Sequence, residues 1–374
     1  MAGLGATTAA LKAMRAQAEA MAAAGIGPAQ GRLHETTGFG SNPGALRMLS
    51  HVPEGLDAGA PLVVVLHGCT QTAEGYLHGV GWPALADRYG FVLLCPEQTT
   101  ANNPNRCFNW FLPEDVAQGR GEAGSIRQMI ERAVSDHGVD RRRIFVTGLS
   151  AGGAMTSALL AAYPDVFAGG AIIAGLPAGA ASSMQEAFGA MMQSRSRPAS
   201  QWGDLVRQAS KHAGPWPKVS IWHGDADTTV APANAEAIVR QWTDVHRLRQ
   251  EPDSVELVQG YRRAVWRGPD GAPVVESYSI RGMGHGTPLA TGGTEGYGQA
   301  GPFMLEVGIS SSLQIAQFWG LTGAVRTQAR PQPPPPQPRR PQTPPPPNGT
   351  PAHDLIGSVG RTITDALKAA GLMK

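Results

Sequence analysis

The chain has 374 residues, 42% of which are hydrophobic, and its formal net charge is +2. A chain of this length and composition can bury a sizeable core, and its near-balanced charge argues against nucleic acid as a partner. No run approaches the roughly 18 apolar residues that a transmembrane helix requires, so no membrane span is expected.

Residues 1–30 are rich in alanine and predict an appended N-terminal helix. Apolar residues recur at helical spacing from Leu11 to Ala22, and Gly25 and Gly27 end the pattern. The stretch lacks a compact apolar core with a cleavage site, so no secretion signal is expected. The cytoplasm is therefore the favoured location, with an extracellular location as the alternative.

Short apolar runs alternate with helical segments over most of the chain. An antiparallel strand is predicted at residues 45–53, and the later runs are continuously apolar, as in strands buried on both faces. These runs cover residues 61–66, 91–95, 144–147, 171–174 and 219–222, and predicted helices between and after them include 125–137, 153–162 and 233–247. The alternation predicts an α/β fold over residues 31–325, a doubly wound, mostly parallel sheet with helices on both faces.

Two further segments complete this domain. Residues 176–217 form a long crossover whose apolar residues either shield the sheet as ordinary helices or partly cover the functional site. Residues 261–267 and 274–280 predict a hairpin around the turn at 268–271, and its second strand leads into a glycine-rich loop that contains His285.

The composition changes abruptly near Arg330. Residues 326–352 predict a proline-rich linker, extended as polyproline, because a run so dense in proline cannot form a helix or a sheet. Apolar residues then recur at helical intervals from Leu355 to Leu372 and predict an amphipathic C-terminal helix over 353–374. The helix would dock on the main domain, on a partner protein or on an apolar polymer surface. The sequence does not indicate an oligomeric state.

The most informative motif is Gly148-Leu149-Ser150-Ala151-Gly152, between a predicted strand and a predicted helix. A serine in this setting occupies a nucleophile elbow, in which glycines let the backbone turn sharply and expose the hydroxyl above the sheet. A serine hydroxyl needs an imidazole to take its proton, and the imidazole needs a carboxylate to orient it. The motif therefore predicts a triad in the chain order serine, acid, histidine.

The predicted strand at 219–222 leads into a loop that offers two carboxylates, Asp225 and Asp227. Asp227 is favoured as the triad acid because of its spacing from Gly224 and Val230, and Asp225 is expected to cap the loop by bonding backbone amides. A metal site formed by His223 with the two aspartates is the disfavoured alternative, since no further ligands accompany them.

His285 is the predicted base. Of the ten histidines, only three follow Asp227 in the chain; the other two, His246 and His353, lie in a predicted helix and in the tail. His285 lies in the glycine-rich loop directly after the last predicted core strand, where the triad histidine is expected.

An oxyanion that forms during acyl transfer needs two backbone amides. One comes from the residue after the nucleophile, Ala151, and the other is expected from Cys69 after the first buried strand, with Gln71 as a second choice. His67 is interpreted as a structural hydrogen-bonding residue rather than a catalytic one.

Three cysteines are present. Cys69 and Cys107 both flank the predicted site, and a disulfide between them and a pair of reduced thiols are equally open interpretations. Cys95, at the end of an apolar strand, is predicted to be a buried free thiol.

These motifs together resemble the poly(3-hydroxybutyrate) depolymerase family of esterases, a branch of the α/β-hydrolases related to feruloyl and acetylxylan esterases. The resemblance covers about residues 35–320, and it includes segments 42–48, 66–72, 96–98, 105–111, 148–153, 222–230 and 282–285. It implies ester hydrolysis through an acyl-serine intermediate, with Ser150, Asp227 and His285 as the triad and with no metal or organic cofactor.

The resemblance also implies that an aromatic segment, Phe108-Asn109-Trp110-Phe111, lies beside the cleft and binds substrate. The alternative is that these residues only pack beneath their loop. The expected substrates are short-chain hydroxyacyl esters such as oligomers or polymer of 3-hydroxybutyrate, and feruloyl or acetylated polysaccharide esters are the second choice. A function of another class is binding to a polyester granule or a partner through the C-terminal helix.

Overall fold

The structure is a computed structural model that describes residues 33–293 and 296–323. The predicted N-terminal helix, proline-rich linker and C-terminal helix lie outside the described residues. Within the described part of the chain, no helix is both long enough and apolar enough to cross a membrane.

Twelve strands occur in the described residues. They are β1 His34–Thr36, β2 Arg47–His51, β3 Leu62–Leu66, β4 Val92–Glu97, β5 Ile144–Leu149, β6 Gly169–Ile173, β7 Lys218–Gly224, β8 Ser254–Val258, β9 Tyr261–Arg267, β10 Pro273–Ile280, β11 Thr287–Leu289 and β12 Met304–Glu306.

The same residues form nine helices. They are α1 Ala73–Gly79, α2 Trp82–Tyr89, α3 Pro113–Val116, α4 Gly121–His137, α5 Ala151–Ala162, α6 Met184–Met192, α7 Ala199–Ala209, α8 Ala233–Val245 and α9 Ser311–Trp319.

Ten of the strands form one sheet in the order β1-β2-β4-β3-β5-β6-β7-β10-β9-β8. The six strands from β4 to β10 in this order are parallel, and antiparallel strands extend the sheet at both ends. The prediction of a mostly parallel sheet is therefore confirmed. Because the parallel strands point the same way, the loops that follow them meet at one edge of the sheet.

The central strands are buried on both faces, as their apolar sequences predict. In β3, Leu62, Val64 and Leu66 join one hydrophobic cluster, while Val63 and Val65 join the cluster on the opposite face. Side chains alternate between the two faces of a strand, so each face of β3 needs its own helical cover. Burial of each such side chain contributes about 1.5–3 kcal/mol, which holds the layers together around the sheet.

The helix before the elbow strand begins a full turn earlier than predicted. It starts at Gly121 instead of residue 125, in a stretch whose glycines disfavour a helix. Tertiary contacts fix this first turn: the Gly44 N–H donates to Ser125 Oγ at 2.7 Å, and a Cβ on Gly44 would overlap the backbone of Glu122. Packing here overrides local propensity.

The predicted hairpin is present as β9 and β10, and β8 adds an edge strand to it. The long crossover forms α6 and α7. Trp202 of α7 is buried in the core, whereas Met184 and Met192 of α6 are more than half exposed. Helix α6 also contacts the loop after β7, because Met191 O accepts a hydrogen bond from the Ala231 N–H at 2.8 Å.

Candidate active site

Ser150 occupies a sharp turn between β5 and α5. Its backbone angles, φ 58° and ψ −116°, are strained for a residue with a side chain. Two hydrogen bonds hold the turn: the Ser150 N–H donates to Ile173 O at 2.9 Å, and the Ala154 N–H donates to Ser150 O at 2.8 Å. The structure thus places the predicted nucleophile on the expected elbow.

Small residues are required around this turn because neighbouring backbone approaches it closely. A Cβ on Gly148 would lie 2.5 Å from the carbonyl carbon of Gly152, and a Cβ on Gly152 would overlap the carbonyl oxygens of Leu66 and His67. The elbow therefore packs directly against the end of β3 and the segment that follows it.

Asp227 lies in the loop after β7, and four donors surround its carboxylate. Oδ1 accepts from the amides of Thr229 at 2.8 Å and Val230 at 2.9 Å. Oδ2 accepts from His285 Nδ1 at 2.7 Å and lies 3.3 Å from His223 Nε2. Both carboxylate oxygens therefore have fixed roles as acceptors.

These contacts control the charge of Asp227. Burial by itself would raise the pKa of this carboxyl, but the hydrogen bonds from His223 and His285, together with that from the Val230 amide, hold the pKa well below its usual range. Asp227 is therefore ionised at neutral pH and fixes the proton of His285 on Nδ1. The other ring nitrogen, Nε2, is buried and makes no hydrogen bond with any described residue.

The structure brings Asp227 and His285 into direct contact, but it shows no hydrogen bond between His285 and Ser150 within the described residues. Ser150 is 6% exposed and the His285 side chain 5% exposed, so both are nearly enclosed. Their parent strands β5 and β10 are separated in the sheet by β6 and β7 and end at the same edge.

Asp225 bonds a backbone amide, as predicted, but this amide belongs to another loop and not to its own. Its Oδ1 accepts a hydrogen bond from the Gly282 N–H at 2.6 Å, which ties the loop after β7 to the loop that carries His285. Over the described residues, no group of three or more histidine, cysteine or carboxylate side chains is arranged to hold a metal ion.

The predicted oxyanion donors lie on the two segments that pack together at the elbow. Ala151 is the first residue of α5, where an amide has no partner within its own helix. The amides beside Cys69 are engaged: Gly68 N–H donates to Gln71 Oε1 at 2.8 Å, Thr70 N–H to Asn105 O at 2.7 Å, and Gln71 N–H to Gly68 O at 3.4 Å. The Cys69 amide donates to no described residue, which favours it over Gln71.

Cys69 and Cys107 form a disulfide in the structure, with Cα atoms 4.3 Å apart. The bond connects the segment after β3 to the loop that carries the aromatic segment. Cys95 is a buried free thiol, as predicted, and burial raises its pKa.

The aromatic segment is largely buried. Phe108 has no exposed surface and contacts the His67 ring at a centroid distance of 5.0 Å, so its burial favours packing over substrate contact. Asn109 uses its amide and its side chain for hydrogen bonds within the protein. Trp110 and Phe111 keep 8% and 7% of their surface exposed, and for them the substrate-binding role stays a prediction.

Sequence reasoning missed Glu122, which is fully buried at the start of α4. Its Oε1 accepts from Gln98 Nε2 at 2.5 Å, and its Oε2 accepts from the Asn109 amide at 2.8 Å. Burial, with the nearby Asp115 carboxylate, raises the pKa of Glu122 to about 8. A glutamate in a polar, glycine-rich stretch gives no sequence signal of this burial.

The sequence also does not predict the contact between His223 and Asp227, the candidate triad acid. Its Nε2–H donates to Val230 O at 2.9 Å and is shared with Asp227 Oδ2 at 3.3 Å. His223 lies near the end of β7, only four residues before Asp227, and this short spacing is the signal that could have pointed to the contact.

Comparisons with known proteins agree with this architecture. The family model described as "Esterase PHB depolymerase" matches residues 48–255. A poly(3-hydroxyalkanoate) depolymerase C from Paucimonas lemoignei is 48% identical over 78% of this chain and 70% of its own. Feruloyl esterase B from Thermothelomyces thermophilus is 33% identical over 68% of this chain and 88% of its own.

A solved structure, the acetyl xylan esterase from Aspergillus awamori, superposes with a TM-score of 0.66 at 25% identity. The match covers 78% of this chain and 100% of that one. The chain therefore belongs to the esterase PHB depolymerase family and is a carboxylic ester hydrolase with an α/β-hydrolase fold.

Proposed function

We propose that Ser150, His285 and Asp227 form the catalytic triad and that the enzyme hydrolyses short-chain hydroxyacyl esters, in particular oligomers or polymer of 3-hydroxybutyrate. The observation that carries the triad is the 2.7 Å contact between His285 Nδ1 and the ionised Asp227, which leaves His285 Nε2 as a proton acceptor. The 48% identity to a poly(3-hydroxyalkanoate) depolymerase supports the substrate class.

The reaction has two halves. His285 Nε2 takes the Ser150 hydroxyl proton as Oγ attacks the ester carbonyl carbon, and the amides of Ala151 and Cys69 bind the resulting oxyanion. The tetrahedral intermediate collapses, the alcohol leaves with the proton from His285, and Ser150 carries the acyl group. Water, deprotonated by His285, then attacks the acyl-serine and releases the acid, and the proton returns to Ser150.

Replacement of Ser150 by alanine tests the triad. The S150A variant should lose hydrolysis of p-nitrophenyl butyrate while its unfolding curve stays close to that of the wild type, because the change removes one hydroxyl. Turnover by S150A at the wild-type rate would disprove the assignment.

A feruloyl or acetylxylan esterase activity is the second candidate, supported by the 33% identity to feruloyl esterase B and by the fold match to an acetyl xylan esterase. Rates on hydroxybutyrate oligomers, methyl ferulate and acetylated xylan separate the candidates. A higher kcat/KM on either plant-derived substrate than on hydroxybutyrate oligomers would overturn the first proposal.

Binding to a polyester surface through residues 353–374 is a proposal from the sequence pattern alone. A variant that lacks residues 330–374 should keep its activity on a soluble ester and sediment less with polymer granules. Unchanged sedimentation would remove this role for the tail.

A further inference from the structure

His67 lies two residues before Cys69, whose amide is the predicted oxyanion donor. Its own side chain is fully buried and cannot touch a substrate. Its ring has two hydrogen bonds. Nε2 accepts from the Gln98 backbone N–H at 3.1 Å, so the ring proton is on Nδ1, which donates to Gly68 O at 2.7 Å. Burial lowers the pKa of His67, which keeps the ring neutral and this tautomer fixed.

The carbonyl of Gly68 and the amide of Cys69 belong to the same peptide group. In a trans peptide the C=O and N–H bonds point in opposite directions, so a hydrogen bond that holds the Gly68 oxygen also sets the direction of the Cys69 N–H. Donation to the carbonyl oxygen polarises the peptide as well, which strengthens its N–H as a donor. His67 thus acts on the Cys69 amide through the carbonyl at the opposite edge of the same peptide group.

The surrounding contacts hold His67 in place. The Phe108 ring packs on the imidazole, and Gln98 is fixed through its side chain, which donates to Glu122 Oε1 at 2.5 Å and to Cys107 O at 3.1 Å. Leu149, the residue before the nucleophile, lies against Gly68: a Cβ on Gly68 would be 3.5 Å from Leu149 O. The peptide that His67 holds is therefore next to the elbow.

We propose that His67 is a positioning residue for ester hydrolysis, and that its Nδ1–H sets the orientation and the donor strength of the Gly68–Cys69 peptide in the oxyanion hole. The proposal rests on the triad and oxyanion assignments above. It predicts that the bond to the Gly68 oxygen matters for the rate, whereas the bond from Gln98 matters mainly for holding the ring.

Two substitutions separate these bonds. In H67N the side-chain amide nitrogen is bonded to Cγ, as Nδ1 is in histidine. It therefore takes the place of Nδ1 and keeps the donor to Gly68 O. In H67Q the side-chain amide reaches the place of Nε2, keeps an acceptor for the Gln98 amide and removes the donor to Gly68 O. In H67N the Gln98 N–H loses its acceptor, whereas in H67Q the Gly68 oxygen keeps the longer bond from the Gln71 N–H at 3.4 Å, so H67N should lose at least as much folding stability as H67Q.

We expect H67Q to lower kcat for p-nitrophenyl butyrate about 10- to 100-fold with little change in KM, since complete removal of an oxyanion donor costs about 100- to 1,000-fold. H67N should stay within about tenfold of the wild type. Butylboronic acid, which forms a tetrahedral adduct with a serine hydroxyl, should inhibit H67Q more weakly by about the factor lost in kcat.

Equal losses of kcat in H67N and H67Q, or a rise in KM alone, would show that His67 only supports the fold and would overturn the proposal. Those results leave the esterase function intact, because that function fails only if the wild-type enzyme does not hydrolyse esters or S150A still does. If neither variant folds, spectra of the wild-type enzyme with 15N-labelled histidine decide the matter: His67 in the Nε2–H tautomer excludes the proposal.

Discussion

Substitution of Asp227 by asparagine tests the electrostatic arrangement of the site in detail. Oδ1 of Asp227 accepts from two backbone amides, those of Thr229 and Val230, so the asparagine oxygen must occupy that position. The new NH2 group is then forced into the place of Oδ2, where it faces His285 Nδ1. A donor in that place requires Nδ1 to accept, and the His285 proton must move to Nε2.

An imidazole with its proton on Nε2 cannot take a proton from Ser150. We expect D227N to lower kcat by about 10⁴-fold, the loss found when a triad histidine is held in the wrong tautomer, which corresponds to about 5 kcal/mol of transition-state stabilisation. His223 Nε2–H loses its 3.3 Å contact with Oδ2 but keeps the shorter bond to Val230 O, and the asparagine oxygen still accepts from the Thr229 and Val230 amides. The fold should therefore be retained.

The assay is steady-state hydrolysis of p-nitrophenyl butyrate, with D225N as the matched control. Asp225 needs only one acceptor oxygen for the Gly282 amide, and an asparagine oxygen supplies it, so D225N should stay within about twofold of the wild type. The reasoning fails if D227N keeps more than a tenth of the wild-type kcat, or if D225N loses as much as D227N.

Two further predictions concern the scaffold of the site. The G152A variant should lose about 100-fold in kcat, because its Cβ would overlap the Leu66 and His67 carbonyls and displace the elbow. In the control variant G189A on α6, the added Cβ meets nothing within 4 Å, so kcat should not change and the folding stability should be equal or slightly higher. Equal kcat values for G152A and G189A would contradict this reasoning. The pKa of Glu122 is about 8 in the folded state and 4.5 in the unfolded state, so the folded state holds the proton more tightly. The free energy of unfolding should therefore fall as the pH rises from about 4.5 to 8. Urea titrations across this range should show that fall in the wild type and a smaller one in E122Q, and parallel profiles for the two proteins would refute the assignment.

The fold class and the triad loops were predictable from the sequence because they depend on local patterns. Continuous apolar runs specify strands buried on both faces, and the small residues around Ser150 allow a turn that neighbouring backbone would otherwise block. Asp225 and Asp227 differ in their spacing from Gly224, and that spacing was enough to assign one to a cap and the other to the predicted triad.

Other features depend on residues distant in the sequence, and only the tertiary structure decided them. Glu122 is buried because Gln98 and the Asn109 amide supply donors across the loop, and the first turn of α4 forms because Gly44 packs against it. Burial of Phe108 against His67 favours a packing role, which its aromatic character alone could not distinguish from substrate contact.

The sequence by itself determined the α/β order, the elbow and the identity of the candidate acid and base, since each follows from residue types at short spacing. The tertiary structure decided which groups share a hydrogen bond. His285 bonds Asp227, and the Gln98 amide bonds His67 Nε2, because strands far apart in the chain end side by side at one edge of the sheet. Such contacts are set by packing between whole elements, which no local pattern encodes.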